Sequence, residues 1–263
     1  MHRPEAPVLV VVAHGSRDPR HAATVSALSA RVRSLRPGLR VETAFLDFNA
    51  PRVPGVLSRL AAAGTRDVVA LPLLLNRAYH AKADIPAVLR TATARHPGLA
   101  VRRAEVLGPS PLLTAALERR LAGAGLRPAD RHRTGVVLAC AGSTDTAALA
   151  VIAALARDWR QAGGWRAVRP AFAAASRPGR ADLPTTADAV RALRAEGVRR
   201  VAVAPYLVAP GLLPDRIAAG AREARADVLA DVLGPAPELA RLLLLRYDEA
   251  VARERTGPAR LTA

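Results

Sequence analysis

Short apolar runs alternate along this chain with longer segments whose apolar residues recur every third or fourth position. The run "VLVVVA" (Val8–Ala13) is rich in β-branched valine and has no polar interruption, which predicts a strand buried on both faces. Ala22–Leu35 then sets Val25, Leu28, Val32 and Leu35 at helical spacing and stops at Pro37-Gly38. Leu39–Leu46 reads as a strand, and Pro54–Ala63 as a helix with Val56, Leu57 and Leu60 on one face. Asp67–Leu75 ("DVVALPLLL") reads as a buried strand, and Asp84–Arg95 as a helix burying Ile85, Val88 and Leu89. Leu99–Val106 (strand) and Pro111–Ala122 (helix) complete a βαβαβαβα order. Such alternation demands right-handed crossovers and a parallel sheet with helices on both faces.

The order then repeats. Gly135–Cys140, Val168–Ala173, Val198–Val208 and Ala226–Leu233 read as strands. Thr146–Gln161, Thr185–Glu196, Pro214–Arg225 and Pro237–Arg253 read as helices. The repetition extends to residues. "AHGSRD" at 13–18 returns as "CAGSTD" 127 positions later, and "TAFLDF" returns as "PAFAAA" at the same offset. "AAGTRDVVALPLLL" pairs with "AEGVRRVAVAPYLV", and "AEVLGPSPLL" with "ADVLGPAPEL". The expected fold is therefore α/β, with two duplicated domains about a pseudo-twofold axis. Each domain holds a parallel four-stranded sheet flanked by helices. The boundaries read as 1–122 and 135–263, with 123–134 ("GAGLRPADRHR" and the threonine after it) as a linker.

Ligands of open parallel sheets bind beyond the carboxyl ends of the strands. In the first half those positions hold His14 after the first strand, Asp47 after the second and His80 after the third. In the second half they hold Ala141, Ala174 and either Leu212 or Leu213. All three polar residues are missing together, while Gly142-Ser143, Pro205 and Gly234-Pro235 persist. One site per chain, on the first half, accounts for this, with the second half as a wall or lid. Two histidines and a carboxylate suit Fe²⁺, Co²⁺, Ni²⁺ or Zn²⁺ better than Mg²⁺ or Ca²⁺. Histidine also accepts protons near neutral pH. His2, His21, His96 and His132 fall in the N-terminal tail, at a helix start, at a helix end and in the linker, where no chemistry is expected of them.

Composition narrows the field. Half the residues are apolar, so a packed core is expected rather than disorder. The net charge of +17 favours polyanionic ligands, although Lys82 is the only lysine and a GC-rich coding bias toward arginine gives the same excess. No compact basic run with interleaved aromatics points to nucleic acid. Val8–Ala13 is too short to span a membrane and lacks the flanks of a signal peptide, and a single cysteine, Cys140, cannot form an internal disulfide. A cytoplasmic location is expected. No G-x-G-x-x-G, P-loop or G-x-S-x-G motif occurs.

Taken together, "VVAHGSRDPR", "AFLDFNAP", "PLLLNRAYHAKADIP" and "LGPSPLL" resemble the sirohydrochlorin chelatases of the ATP-independent class, in their two-domain form. The resemblance is strong over 8–122 and degenerate over 135–250. The family usually carries glutamate at the position of Asp47, so the carboxylate here is one methylene shorter. The resemblance implies insertion of a divalent metal, Fe²⁺ first and Co²⁺ or Ni²⁺ as alternatives, into the polycarboxylate tetrapyrrole sirohydrochlorin. It implies no cofactor beyond that metal and no ATP. From the composition no nucleic-acid or membrane partner is expected, and two domains in one chain able to supply both walls of a cleft make a monomer the expected form. On the basis of the resemblance His14 and His80 are expected to be catalytic, and His14, His80 and Asp47 to contact the metal. Asp47, Leu75, Asn76, Arg77, Ala78, Tyr79 and His80 are expected to line the macrocycle, with Arg17 and Lys82 as partners for its carboxylates. Ser16 is expected to cap the helix that follows, because Ser143 repeats it in the second half. A non-catalytic metal or tetrapyrrole carrier is the alternative of another class.

Overall fold

A computed structural model describes residues 6–76, 84–174 and 183–255. The first half runs β1 (Val8–Ala13), α1 (Pro19–Leu35), β2 (Val41–Phe45), α2 (Val53–Ala62), β3 (Asp67–Pro72), α3 (Ile85–Ala94), β4 (Ala100–Arg103) and α4 (Pro111–Gly123). The second half runs β5 (Thr134–Cys140), α5 (Thr146–Gly163), β6 (Ala167–Phe172), α6 (Thr186–Ala195), β7 (Arg200–Pro205), α7 (Leu212–Glu223), β8 (Val228–Leu229) and α8 (Pro237–Arg255). Two four-stranded sheets result, ordered β2-β1-β3-β4 and β6-β5-β7-β8, and every pairing is parallel. This is the duplicated α/β arrangement that the alternating pattern predicts.

The two all-apolar runs occupy the protected places. All six residues of β1 and all seven of β5 are buried. Each is an inner strand, paired on both sides, so neither face meets water. Side chains alternate across a strand, and Val8, Val10 and Val12 turn to the same face. There they pack with Val56, Leu57 and Leu60 of α2 and Ile85 and Leu89 of α3. In the second sheet Val137 and Ala139 meet Val190 and Leu193 of α6 and Ile217 of α7 in the same way. Truncating such a side chain, Leu57→Ala for instance, costs about 2–5 kcal/mol.

The chain divides into two compact units that cut across the boundaries expected from the repeat. Among the described residues one comprises 6–17, 25–76, 84–107 and 240–255, and the other 18–24, 108–174 and 183–239. The last helix of each half thus belongs with the other half's sheet. Within the first unit, α8 is tied by Arg246, whose guanidinium donates to the carbonyls of Val106 and Leu107 at 3.0 Å each, and by Tyr247, whose hydroxyl donates to the carbonyl of Pro7 at 2.8 Å. An Arg36–Asp248 ion pair at 2.6 Å adds to this. Within the second unit, Arg120 of α4 donates to the carbonyl of Leu233 at 2.9 Å. Glu118 of α4 accepts from the indoles of Trp159 and Trp165 at 2.6 and 3.1 Å.

The stretch expected to be a linker is folded. Pro128–Arg133 forms a 3₁₀ helix on the enclosed carboxylate of Asp130. Arg133 binds that carboxylate at 2.5 Å and Arg200 at 3.0 Å, while Arg127 contributes its backbone N–H. Arg133 first, and the others with it, hold the carboxyl well below the usual carboxylate range. Other element ends move by a few residues, for local reasons. Helix α1 starts at Pro19 rather than Ala22, because proline suits the first helical position and Asp18 accepts the Arg20 N–H at 2.9 Å. The third strand ends at Pro72 rather than Leu75, and past it the Leu73 N–H donates to the Val12 carbonyl and the Leu74 carbonyl accepts from the Leu107 N–H, each at 2.8 Å. No described helix is long and apolar enough to cross a membrane.

Candidate functional site

The carboxyl ends of β1 and β2 set the site. Beyond the last paired residues, Ala13 and Phe45, the ladder runs on for two more rungs. The Leu46 N–H donates to the Ala13 carbonyl at 2.9 Å, and the Asp47 N–H to the His14 carbonyl at 2.8 Å. These bonds bring His14 and Asp47 side by side, as the sequence expects.

The two loops are then sewn together. Gly15 takes φ +95°, and a Cβ there would lie 1.8 Å from the carbonyl oxygen of Asp47, so only glycine fits. The next N–H, that of Ser16, donates to Oδ1 of Asn49 at 2.8 Å. Ser16 therefore anchors the loop through its backbone. The carboxylate that caps α1 is that of Asp18.

Asp47 is held in place rather than pointing freely into solvent. Its Oδ1 accepts from the backbone N–H of Phe48 at 2.9 Å and from Nη1 of Arg52 at 2.9 Å. The same Nη1 also donates to the Leu46 carbonyl at 2.8 Å. The Phe48 N–H, then the Arg52 guanidinium, with the neighbouring His14 adding to both, hold the Asp47 carboxyl below its usual value. About half of its side chain stays exposed, so one edge of the carboxylate remains accessible to a ligand.

Phe48 completes this corner. Its φ of +61° is a left-handed conformation that bulky side chains rarely adopt, and it costs on the order of 1–3 kcal/mol. The ring lies 6.1 Å from that of His14 at an interplanar angle of 37°. The Arg17 guanidinium sits over it, 5.5 Å from the centroid.

Leu75 and Asn76 lie half-buried just past β3. Arg77, Ala78, Tyr79, His80 and Lys82 fall outside the described residues, so the second expected histidine has no described position. Among the described residues no three of His, Cys, Asp or Glu gather in a metal-binding group. His14 and Asp47 are the described members of the expected triad. In the second unit a cleft of about 410 Å³ opens between α5, β6 and α6, walled by Leu149, Pro170, Phe172 and Leu183, with no histidine or cysteine in its lining.

A family model, CbiX, matches residues 8–124 and again 135–250, which is both halves of the repeat. The chain belongs to the CbiX family. Among curated relatives, a sirohydrochlorin cobaltochelatase of Priestia megaterium is 25% identical over 255 residues, covering 94% of this chain and 80% of its own. A sirohydrochlorin ferrochelatase of the same organism is 25% identical over 240 residues, covering 89% and 87%. The solved structure of SirB from Bacillus subtilis with Fe³⁺ superposes with a TM-score of 0.81 at 21% identity, over 96% of this chain and 98% of that one. The fold of this CbiX-family chain is thus that of the chelatases, two parallel sheets included.

Three residues at this corner escape a reading based on residue chemistry alone: Phe48, Asn49 and Arg52. All three lie in or beside the quoted "AFLDFNAP", and the internal repeat carried a signal for one of them. Phe45 recurs as Phe172, whereas Phe48 is replaced by Ala175, as His14 and Asp47 are replaced by alanines.

Proposed function

We propose that this chain is a sirohydrochlorin chelatase that inserts Fe²⁺ into the macrocycle, and that the first sheet's rim carries the chemistry. One observation supports this above the rest. The same backbone ladder beyond the strand ends bears His14 and Asp47 in one copy and Ala141 and Ala174 in the other. The family match supplies the reaction class, since the two Priestia megaterium relatives are named for cobalt and iron insertion into sirohydrochlorin.

The reaction needs two pyrrole N–H protons to leave as the divalent ion enters, with no nucleophile and no nucleotide. His14, half-buried beside Asp47, is the proton acceptor nearest the described rim and the first contact for the incoming ion. Histidine is the side chain best suited by type to take up a proton near neutral pH. Asp47 is already bonded to Arg52 and the Phe48 N–H, so its part is to orient His14 electrostatically and to offer its exposed edge to ion or proton. His80 is assigned as the second imidazole. Two imidazoles and a carboxylate fit Fe²⁺ and also Co²⁺. Cobalt insertion is therefore the second reading, favoured by a cobaltochelatase relative at the same 25% identity. Arginines supply the cationic partners for the substrate's carboxylates, in keeping with the +17 charge. No resident cofactor is invoked, and a cytoplasmic monomer remains the proposed form.

The test is sirohydrochlorin absorbance with Fe²⁺ and, separately, Co²⁺. Metal insertion faster than the uncatalysed rate, and faster with one metal, identifies the activity and the metal. Tight stoichiometric binding without turnover identifies a carrier instead.

A further inference from the structure

Phe48 calls for an explanation that the core does not provide. It is 47% exposed in a chain with only three phenylalanines, the other two of which, Phe45 and Phe172, are buried strand ends. Its backbone is held in the left-handed region by the Asp47 carboxylate on its own N–H. Its ring lies beside that of His14 and beneath the Arg17 guanidinium, and the second copy of the repeat lacks it. We propose that Phe48 is a stacking platform that positions the tetrapyrrole ring over His14, with Arg17 beside it to pair with a peripheral carboxylate.

The argument is geometric. A planar conjugated macrocycle gains most from a flat aromatic face that is already fixed, because little rotamer freedom is then lost on binding. Here the backbone conformation, the Asp47 bond and the Arg17 contact fix the ring before any ligand arrives. The 6.1 Å between the rings of Phe48 and His14 lets one macrocycle lie against the first while its pyrrole nitrogens face the second. A guanidinium over an aromatic face keeps its N–H groups free at the edges to bind a carboxylate.

This inference rests on the proposed chelatase reading. Two variants test it. Phe48→Asn removes the ring while suiting the left-handed backbone, so folding is preserved. Phe48→Tyr restores an aromatic face. Binding of metal-free sirohydrochlorin is measured by its fluorescence, and turnover by absorbance. Phe48→Asn is expected to weaken sirohydrochlorin binding and raise its KM about tenfold, with a smaller change in kcat and none in the KM for metal. Phe48→Tyr is expected to return both within about twofold of wild type. Wild-type turnover with Phe48→Asn binding unchanged, or Phe48→Tyr as weak as Phe48→Asn, overturns the platform and leaves the chelatase reading standing. A wild-type chain that neither binds nor metallates sirohydrochlorin overturns both.

Discussion

The two rims of this molecule share their backbone hydrogen bonds and differ in their chemistry. In the first, the carbonyls of Ala13 and His14 accept from Leu46 and Asp47 at 2.9 and 2.8 Å. In the second, those of Cys140 and Ala141 accept from Ala173 and Ala174 at 2.8 and 3.0 Å. Phe45 donates to the Pro51 carbonyl and Phe172 to that of Pro184, each at 2.9 Å. Gly15 and Gly142 sit at φ +95° and +98°. The ladder extension and the left-handed glycine are therefore requirements of joining a parallel strand to its neighbour's loop, and they are kept where the histidine and carboxylate are replaced by alanines. His14, Asp47 and Phe48 are additions to that frame. Their absence from the second copy shows that the frame does not need them.

The sharpest way to break the comparison is to make the first rim resemble the second. His14→Ala copies Ala141 onto a backbone that already accommodates alanine. It is expected to lower the rate of metal insertion about 10²-fold or more while leaving thermal stability nearly unchanged. The converse change, Ala141→His, is expected to add no activity, since Ala174 provides no carboxylate beside it. Wild-type rates in His14→Ala and His80→Ala together would remove the site assignment.

The frame itself can be broken next. Gly15→Ala drives a Cβ to 1.8 Å from the Asp47 carbonyl at a positive φ, so the two loops must part. A loss of roughly 2–3 kcal/mol is expected in urea unfolding, together with loss of activity as Asp47 shifts. Gly64→Ala is the control. It also has a positive φ, +78°, but nothing lies within 4 Å of the added carbon, so about 1 kcal/mol is expected. Equal costs at the two positions would show that close approach of the loops is not what selects Gly15.

Much of this was legible in the sequence. The valine-rich β1 and the 3.6-residue spacing of Val25, Leu28 and Val32 disclose the elements, and the internal repeat singles out His14 and Asp47. The ownership of helices was not legible. Nothing in the periodicity of α4 or α8 says which sheet its apolar face covers. Their attachments, Arg120 to the Leu233 carbonyl and Arg246 to the Val106 carbonyl, join residues more than a hundred positions apart. The folded 128–133 turn was hidden for a similar reason, since its organising carboxylate, Asp130, draws on Arg200 from a distant strand. Arg52 was not legible, because a basic residue in a loop looks like ordinary surface until its partners are seen, and Phe48 was legible only through its replacement by Ala175 in the repeat.

A subtler contrast concerns Asp47, which answers to Ala174 in the other rim. With the Phe48 N–H and Arg52 bonded to it, its carboxyl lies below the ordinary value of 3.8. A depressed carboxyl contributes stability that is present above the unfolded pKa and fades as pH falls through the folded one, so the window lies below about pH 4. Arg52→Gln removes one of the two bonds, and the carboxyl is expected to titrate at a higher pH, nearer the ordinary value. ¹³C NMR of the labelled aspartate side chains reads this directly. Activity is expected to fall several-fold, less than for His14→Ala, because the Phe48 N–H still holds the carboxylate. An unmoved titration would assign Arg52 to the Leu46 carbonyl alone.

The smallest expected effect concerns Cys140, which stands where the first copy has Ala13. Burial pushes its thiol far above the ordinary range, and burial likewise raises the phenol of Tyr206, with Cys140 adding to it. A thiol with so little thiolate and no exposure is inert to reagents that attack the ionised form. Native protein is therefore expected to react with an aromatic disulfide reagent only as fast as it unfolds. Cys140→Ala, which copies the first half's residue, is expected to change stability by about 1 kcal/mol or less and the chelation rate not at all. Rapid labelling of the native chain would mean that the end of β5 opens to solvent, and that the second rim is a looser copy of the frame than its hydrogen bonds indicate.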